Sequence, residues 1–152
     1  MSIGLTAQDY VELAYRRNAS LYARAVDANE PALLGQVMAA DAVIDSVGVI
    51  IEGTEAILKI PGMLRDMFLA TEHLVHNQTV ELLSETTAKG ETYCTASHIQ
   101  PPAGDGHPHT ALVWAIRYQD DLRLVDGAWK IARRVLVLDW TETRPVEFSG
   151  RQ

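Results

Sequence analysis

Apolar residues recur at helical spacing over the first part of the chain, with Val11, Ala14, Leu21, Tyr22 and Ala25 on one stripe of a long amphipathic helix spanning residues 6–27. Thr6 is placed to cap its N-terminus. The run "DANEP" breaks the helix, with Asn29 as a cap and Pro31 in the first turn of a second helix reaching about Ala39. "AVIDSV" and "GVIIEG" are two short strand-like runs around Gly48. Thr54 and Glu55 open a third helical segment, which is interrupted or restarted at Pro61-Gly62 and continues through "MLRDMFLA".

From His73 onward the pattern changes. "HLVHNQTVELLSET", "ETYCTASHIQ", "HTALVWAIRYQDDLRLV" and "AWKIARRVLVLDW" are long segments rich in β-branched and aromatic residues. "AKGE" and "VDGAW" read as hairpin turns, the second with the Asp-Gly pair favoured in two-residue loops. "PPAGDGHPH" reads as a loop, and "TETRPVEFSGRQ" as either a cover for a pocket mouth or a frayed tail. Helices first and a long antiparallel meander afterwards predict a single α+β domain over 1–152, with no repeat and no linker. A strongly curved sheet wrapped around the helices leaves a concave, mostly apolar pocket suited to a small organic ligand.

Composition narrows the partners. The net charge of −7 argues against a surface that tracks phosphates, and the five basic residues from Arg117 to Arg134 are interleaved with Asp120, Asp121 and Asp126. No nucleic-acid partner is expected. The N-terminal segment does not read as a signal peptide, and no run of about 20 apolar residues suggests a membrane span, so a cytoplasmic setting is expected. The single cysteine, Cys94, excludes an internal disulfide and reads as an inert buried thiol.

The candidate chemistry lies with histidines and their neighbours. As strand residues, His73 and His76 point to opposite faces, His73 with Val75, Asn77 and Thr79, His76 with Leu74, Gln78 and Val80. A histidine, with a reference pKa of about 6.5, can move a proton either way near neutrality, although a strand histidine also reads as a structural hydrogen-bonding residue. His98 is open to the same two readings. Asp27, at the end of the first helix, is either a solvated turn carboxylate or an acid held inward to orient a histidine. Arg134 alternates with Leu136, Leu138 and Trp140 and therefore needs a partner or an anionic ligand, whereas Arg133 on the other face is a solvated charge. Tyr22 is either a core aromatic or a hydroxyl aimed into the pocket. No metal is expected: His107 and His109 share a loop with only Asp105 nearby, and no metal-ligand spacing occurs elsewhere. A serine elbow, a phosphate loop and a dinucleotide fingerprint are absent from the sequence.

Taken together, "YARAVDANEPALLGQVMAADAVID", "EHLVHN" and "GAWKIARRVLVLDW" resemble, in that order and over nearly the whole chain, the SnoaL-like branch of the nuclear transport factor 2 (NTF2)-like superfamily. The resemblance implies an α+β cone, with about three N-terminal helices packed in a strongly curved, mostly antiparallel sheet. It is nearest to cofactor-independent lyases: scytalone dehydratase, hexachlorocyclohexane dehydrochlorinase and bile-acid 7α-dehydratase. It implies an Asp27–His73 general base, with Tyr22 or His98 as proton donor and Arg134 to stabilise developing negative charge or neutralise Asp27. The dehydrochlorinase's helix lysine has no counterpart here. The expected pocket lining is Val43, Met63, Met67, Phe68, Asn77, Leu112, Trp114, Leu136 and Trp140. The implied reaction is a dehydratase-like elimination, without cofactor, on a small, largely apolar cyclic or aromatic substrate. An isomerase or an aldehyde-releasing carbon–carbon lyase in the same pocket, or a non-catalytic binding or assembly protein, are the alternatives. The resemblance also implies a homo-oligomer, a trimer in preference to a dimer, with an interface on the strands from Ala111 to Trp140.

Overall fold

A computed structural model of the chain describes residues 4–150. Helix α1 (Ala7–Asp27) starts at a reciprocal capping box: the Thr6 hydroxyl accepts from the Asp9 N–H, and the Asp9 carboxylate accepts from the Thr6 N–H. Such a box stabilises a helix start by about 0.5–2 kcal/mol. Its buried stripe runs Val11, Tyr15, Asn18, Tyr22 and Ala25, the four- and three-residue steps that keep one face inward. That stripe carries Asp27, in the last turn, to the edge of the sheet.

The following connection differs from the expectation. Asn29 adopts a left-handed φ of 53° instead of capping a helix, and Pro31 itself stands at the N-cap of a short helix α2 (Ala32–Val37). The second helix therefore ends two residues early, and Met38 opens strand β1 (Met38–Ser46). The buried positions Met38, Ala39, Ala42 and Ile44 suit that strand better than a continued helix. Val47 and Gly48, both with positive φ, make the turn into β2 (Val49–Glu52). The third helical segment is broken into α3 (Gly53–Ile57) and α4 (Ile60–Met67), with Pro61 in the first turn of α4, where its missing N–H is tolerated.

Four long strands follow: β3 (Ala70–Leu82), β4 (Thr87–Gln100), β5 (His109–Val125) and β6 (Ala128–Val146). The sheet order is β2-β1-β6-β5-β4-β3, with β1 parallel to β6 and the other pairs antiparallel. The result is an NTF2-like α+β cone, a curved, unclosed sheet with the helices packed against its inner face. "AKGE" is not a turn: Ala88 to Glu91 lie within β4, and the chain reverses at residues 83–86, where the Ser84 hydroxyl accepts from the Thr86 and Thr87 N–H groups. Asp126-Gly127 does form the expected tight turn, both residues having positive φ. The C-terminal segment is strand as far as Val146.

Two bulges in β6 decide which side chains face inward. Asp121 pairs with Arg133 and Leu122 with Ile131, so Ala132 is an extra residue and both Ile131 and Arg134 turn inward. Ile116 pairs with Leu138 and Ala115 with Trp140, so Asp139 is a second extra residue. Beyond it the alternation reverses, and Trp140 points away from the core, 58% exposed. The main core gathers Tyr22, Val26, Leu34, Ile44, Ile60, Cys94, Ile116, Tyr118 and Ile131, and a smaller cluster of Val11, Tyr15, Ala88 and Leu122 closes the other end. Among the described residues no helix is long and apolar enough to cross a membrane.

Candidate active site

The inner face of the sheet and helices α1 and α4 enclose a cavity of about 390 Å³. Its wall is largely hydrocarbon: Val26 of α1, Ile44 and Ile51 of the β1–β2 hairpin, Ile60, Met63, Leu64 and Met67 of α4, then Phe68, Ala96, Trp114, Ile116 and Leu136. The polar groups in this wall are His73, His98, Tyr22, Tyr118 and, near the mouth, Ser46. A larger groove of about 580 Å³ lies on the opposite face of the sheet among Glu81, Lys89, Glu91, Asp121 and Arg133. It is polar, and neither His73 nor His98 reaches it.

Helix α1 delivers Asp27 and strand β3 delivers His73. The His73 ring Nδ1 lies 2.8 Å from Asp27 Oδ1, and the His73 backbone N–H donates to Oδ2 at 2.8 Å. Thr71, two residues earlier on the same face of β3, donates its hydroxyl to Oδ1 at 2.8 Å. The carboxylate is thus held from both sides by one strand. Burial alone would raise its pKa, but the hydrogen bonds from the His73 ring and N–H and from Thr71 outweigh it, and the carboxyl is held below its ordinary value. A carboxylate only accepts, so this contact places a proton on His73 Nδ1, and the ring lines the cavity. His76, on the other face, bonds Thr95 Oγ1 at 2.8 Å near solvent.

His98 stands opposite Leu112 on β5, with Nδ1 3.1 Å from the Leu112 carbonyl oxygen. Its ring packs on Phe68 at 4.7 Å, on Trp114 at 5.5 Å, and edge-on to His73 at 6.1 Å between centroids. Burial lowers its pKa, more than the bond to the Leu112 carbonyl raises it.

Arg134 lies beneath the cavity floor, essentially sealed from solvent. Its Nε and Nη2 each donate to Asp120 at 2.8 Å, and the guanidinium packs against both the Tyr22 and Tyr118 rings, 4.2 and 4.1 Å from their centroids. The ion pair it makes is therefore with Asp120, across β5–β6, in place of the expected neutralisation of Asp27. Tyr15 donates its hydroxyl to the same carboxylate at 2.8 Å. Among the described residues, Arg134 Nη1 is the one sealed side-chain polar atom without a partner. Burial raises the pKa of Tyr22 and Tyr118, so both phenols stay protonated. Burial likewise pushes the Cys94 thiol up to about 12, which makes it inert.

Tyr22, Asp27, His73 and His98 are brought together, with Arg134 one layer below. Of the expected lining, Met63, Met67, Phe68, Trp114 and Leu136 line the cavity, and four residues do not. Val43 pairs with Arg133 on the far face, and its neighbour Ile44 faces in. Asn77 sits exposed where the β3–β4 register shifts between Val75 and Gln78. Leu112 lies two residues beyond Trp114, past the end of the cavity, and contributes its carbonyl to His98. The Asp139 bulge turns Trp140 outward. The sequence reading did not single out Thr71, Asp120 or Tyr118; the Thr-x-His spacing in β3 is the one signal that could have pointed to Thr71. Among the described residues no cluster of three His, Cys, Asp or Glu side chains could hold a metal ion.

The backbone superposes on solved structures of similar architecture. A type 2 hexachlorocyclohexane dehydrochlorinase matches with a TM-score of 0.81 at 18% identity, over 94% of this chain and 95% of its own. A type 3 dehydrochlorinase from Novosphingobium barchaimii LL02 matches with a TM-score of 0.81 at 16% identity, over 95% and 98%. A protein from Novosphingobium aromaticivorans DSM 12444, provisionally assigned as a scytalone dehydratase, matches with a TM-score of 0.75 at 25% identity, over 97% and 99%. No curated protein matches the chain in sequence. The profile of the SnoaL-like domain matches residues 11–135, most of the chain, and the protein belongs to the SnoaL-like family within the NTF2-like fold.

Proposed function

We propose that the protein is a cofactor-independent lyase that removes a proton from carbon and expels a leaving group from a small, largely apolar cyclic or aromatic substrate. The observation that carries this reading is the 2.8 Å contact between Asp27 and the His73 Nδ1, which leaves Nε2 as a base in an apolar wall. The dehydrochlorinase and dehydratase names of the structural neighbours also describe eliminations, and support it.

In the proposed step His73 Nε2 takes the proton, the C–H electron pair becomes the new carbon–carbon double bond, and the leaving group departs with its own bonding pair. The Asp27 carboxylate stabilises the imidazolium that results. Tyr22, protonated and beside the Arg134 cation, is suited to hydrogen-bond a departing or enolising oxygen, because that cation favours negative charge on the phenol. General-base action of this kind supplies about 10²–10⁴-fold, and the fixed cavity supplies the rest by holding the substrate carbon against Nε2.

Product mass is the direct test. Incubation with neutral cyclic alcohols and halides should yield products lighter by water or by hydrogen halide. An unchanged mass indicates isomerisation, and a trappable aldehyde indicates carbon–carbon cleavage. On whichever substrate turns over, His73→Ala should abolish activity while the fold is kept. Wild-type turnover in that variant would overturn the dyad mechanism.

A further inference from the structure

His98 is built to accept a hydrogen bond. A carbonyl oxygen only accepts, so the contact between His98 Nδ1 and the Leu112 carbonyl requires the proton to be on Nδ1. In the neutral ring the lone pair is then on Nε2. Phe68, Trp114 and the edge of His73 hold the ring in place, and its 5% exposure leaves little solvent to exchange with. Burial in this setting favours the neutral form. Among the described residues no protein donor is bonded to Nε2, and His98 lines the cavity.

The rest of the lining sets the class of molecule. Arg134 is paired with Asp120 beneath the floor, and among the described residues no other charged side chain lines the wall apart from what the histidines carry when protonated. An anionic ligand entering this space would lose its hydration with no fixed cation to replace it. A volume of about 390 Å³ is at the small end of ligand cavities, which run about 300–1,000 Å³, and has room for one or two fused rings. A pure hydrocarbon would fill it but leave the His98 lone pair unmatched.

We propose that His98 Nε2 accepts a hydrogen bond from a substrate hydroxyl, so that the pocket selects neutral one- or two-ring molecules bearing an alcohol or phenol. This gives His98 an acceptor's role in place of a proton donor's. It rests on the lyase reading only for the assignment of His73 to the reacting carbon. The tyrosines and Ser46 also have hydroxyls, but each both donates and accepts, so they serve an ether or a carbonyl as well as an alcohol. A lone pair with its proton fixed elsewhere discriminates. It rewards an alcohol and gives nothing to the matching methyl ether.

The test is calorimetric binding of three matched sets at neutral pH: the alcohol or phenol, its methyl ether and the parent hydrocarbon, built on indane, biphenyl and decalin. The wild-type protein should bind the hydroxyl compound about 3- to 10-fold more tightly than its ether on at least one scaffold, the size of one net hydrogen bond. His98→Phe should keep binding the hydrocarbon and lose that preference, and His98→Met replaces it if the phenylalanine variant does not fold. His73→Ala should retain the preference. The proposal is overturned if ethers bind as well as alcohols on every scaffold, if the preference survives in the His98 variant, if it disappears with His73 instead, or if none of the nine compounds binds. A His73→Ala variant with full turnover would refute the lyase reading and leave the alcohol preference standing, so the two failures are separable.

Discussion

Replacing Asp120 by asparagine changes one buried charge and almost no volume. Asp120 and Arg134 have side chains 0% and 1% exposed, and the carboxylate accepts two guanidinium N–H bonds and the Tyr15 hydroxyl, each at 2.8 Å. In Asp120→Asn an amide oxygen at the Oδ2 position can still accept from Nη2 and Tyr15, while the amide NH₂ faces Nε with like polarity. Arg134 cannot lose its proton to escape, because a guanidinium stays protonated in proteins, and with Asp120 gone burial is left to act against the charge. Breaking a buried pair from one side costs about 3–5 kcal/mol, a large share of the stability of about 5–15 kcal/mol expected of a domain. At about 2–4 °C per kcal/mol for this chain length, the melting temperature should fall by about 6–20 °C. The double variant Asp120→Asn/Arg134→Met removes the stranded cation, fills its space with a flexible apolar chain and leaves the amide oxygen for Tyr15. It should therefore melt above the single variant, a coupling that scanning calorimetry reads directly. An Asp120→Asn protein melting within about 2 °C of wild type, or a double variant melting below the single one, would refute the reasoning.

Asp27→Asn keeps the size of the dyad acid but offers His73 an amide, and turnover should fall by at least about 10²-fold with little change in ligand affinity, measured by steady-state kinetics beside calorimetry. Thr71→Val removes one donor to Asp27 and should cost about 1–2 kcal/mol at neutral pH. Asp27 has a depressed folded-state pKa, so its contribution is present above the ordinary carboxyl value of 3.8 and lost as the pH falls through the lower folded value. The valine variant's deficit in denaturant titrations should therefore shrink as the pH falls below 3.8; a deficit independent of pH would exclude this linkage. Gly90→Ala would put a Cβ 2.6 Å from the Tyr15 ring, which the bond to Asp120 pins in place, and should destabilise by about 1–3 kcal/mol in urea unfolding. Trp140→Ala should leave ligand affinity unchanged while Trp114→Ala weakens it, since only Trp114 lines the cavity.

The fold was legible because its strongest signals are local. A capped amphipathic stripe fixes α1, and Asp126-Gly127 fixes the last hairpin whatever the rest of the chain does. The misreadings came where tertiary pairing overrides a local cue. "AKGE" has the composition of a turn, yet Gly90 pairs with Val80 and Asp120 within the sheet, and a glycine stands there because the Tyr15 ring occupies the space a side chain would take. Met38 and Ala39 continue a helical pattern on paper, but Met38 pairs with Ile131 of β6, a partner 93 residues further along the chain.

The site divides in the same way. The family resemblance paired Asp27 with His73, and their places at a helix terminus and near the start of a strand keep that contact clear of the bulges in β6. The partner of Arg134 did depend on register. Alternation along β6 correctly showed a cation facing inward, but the family resemblance offered Asp27 as its partner, and nothing in the sequence singled out Asp120. The bulge at Ala132 sets the alignment that brings Asp120 directly opposite Arg134. The bulge at Asp139 sends Trp140 to the other face, and a one-residue shift of this kind reverses every side chain beyond it. The two bulges thus bracket the segment from Arg134 to Leu138, within which Arg134 and Leu136 keep the inward alternation and hold the cavity floor. Outside that segment the same period-two reading assigns residues to the wrong side of the sheet. The lining of this cavity is therefore set partly by residues such as Ala132 and Asp139, whose insertion in β6 decides which neighbours face inward.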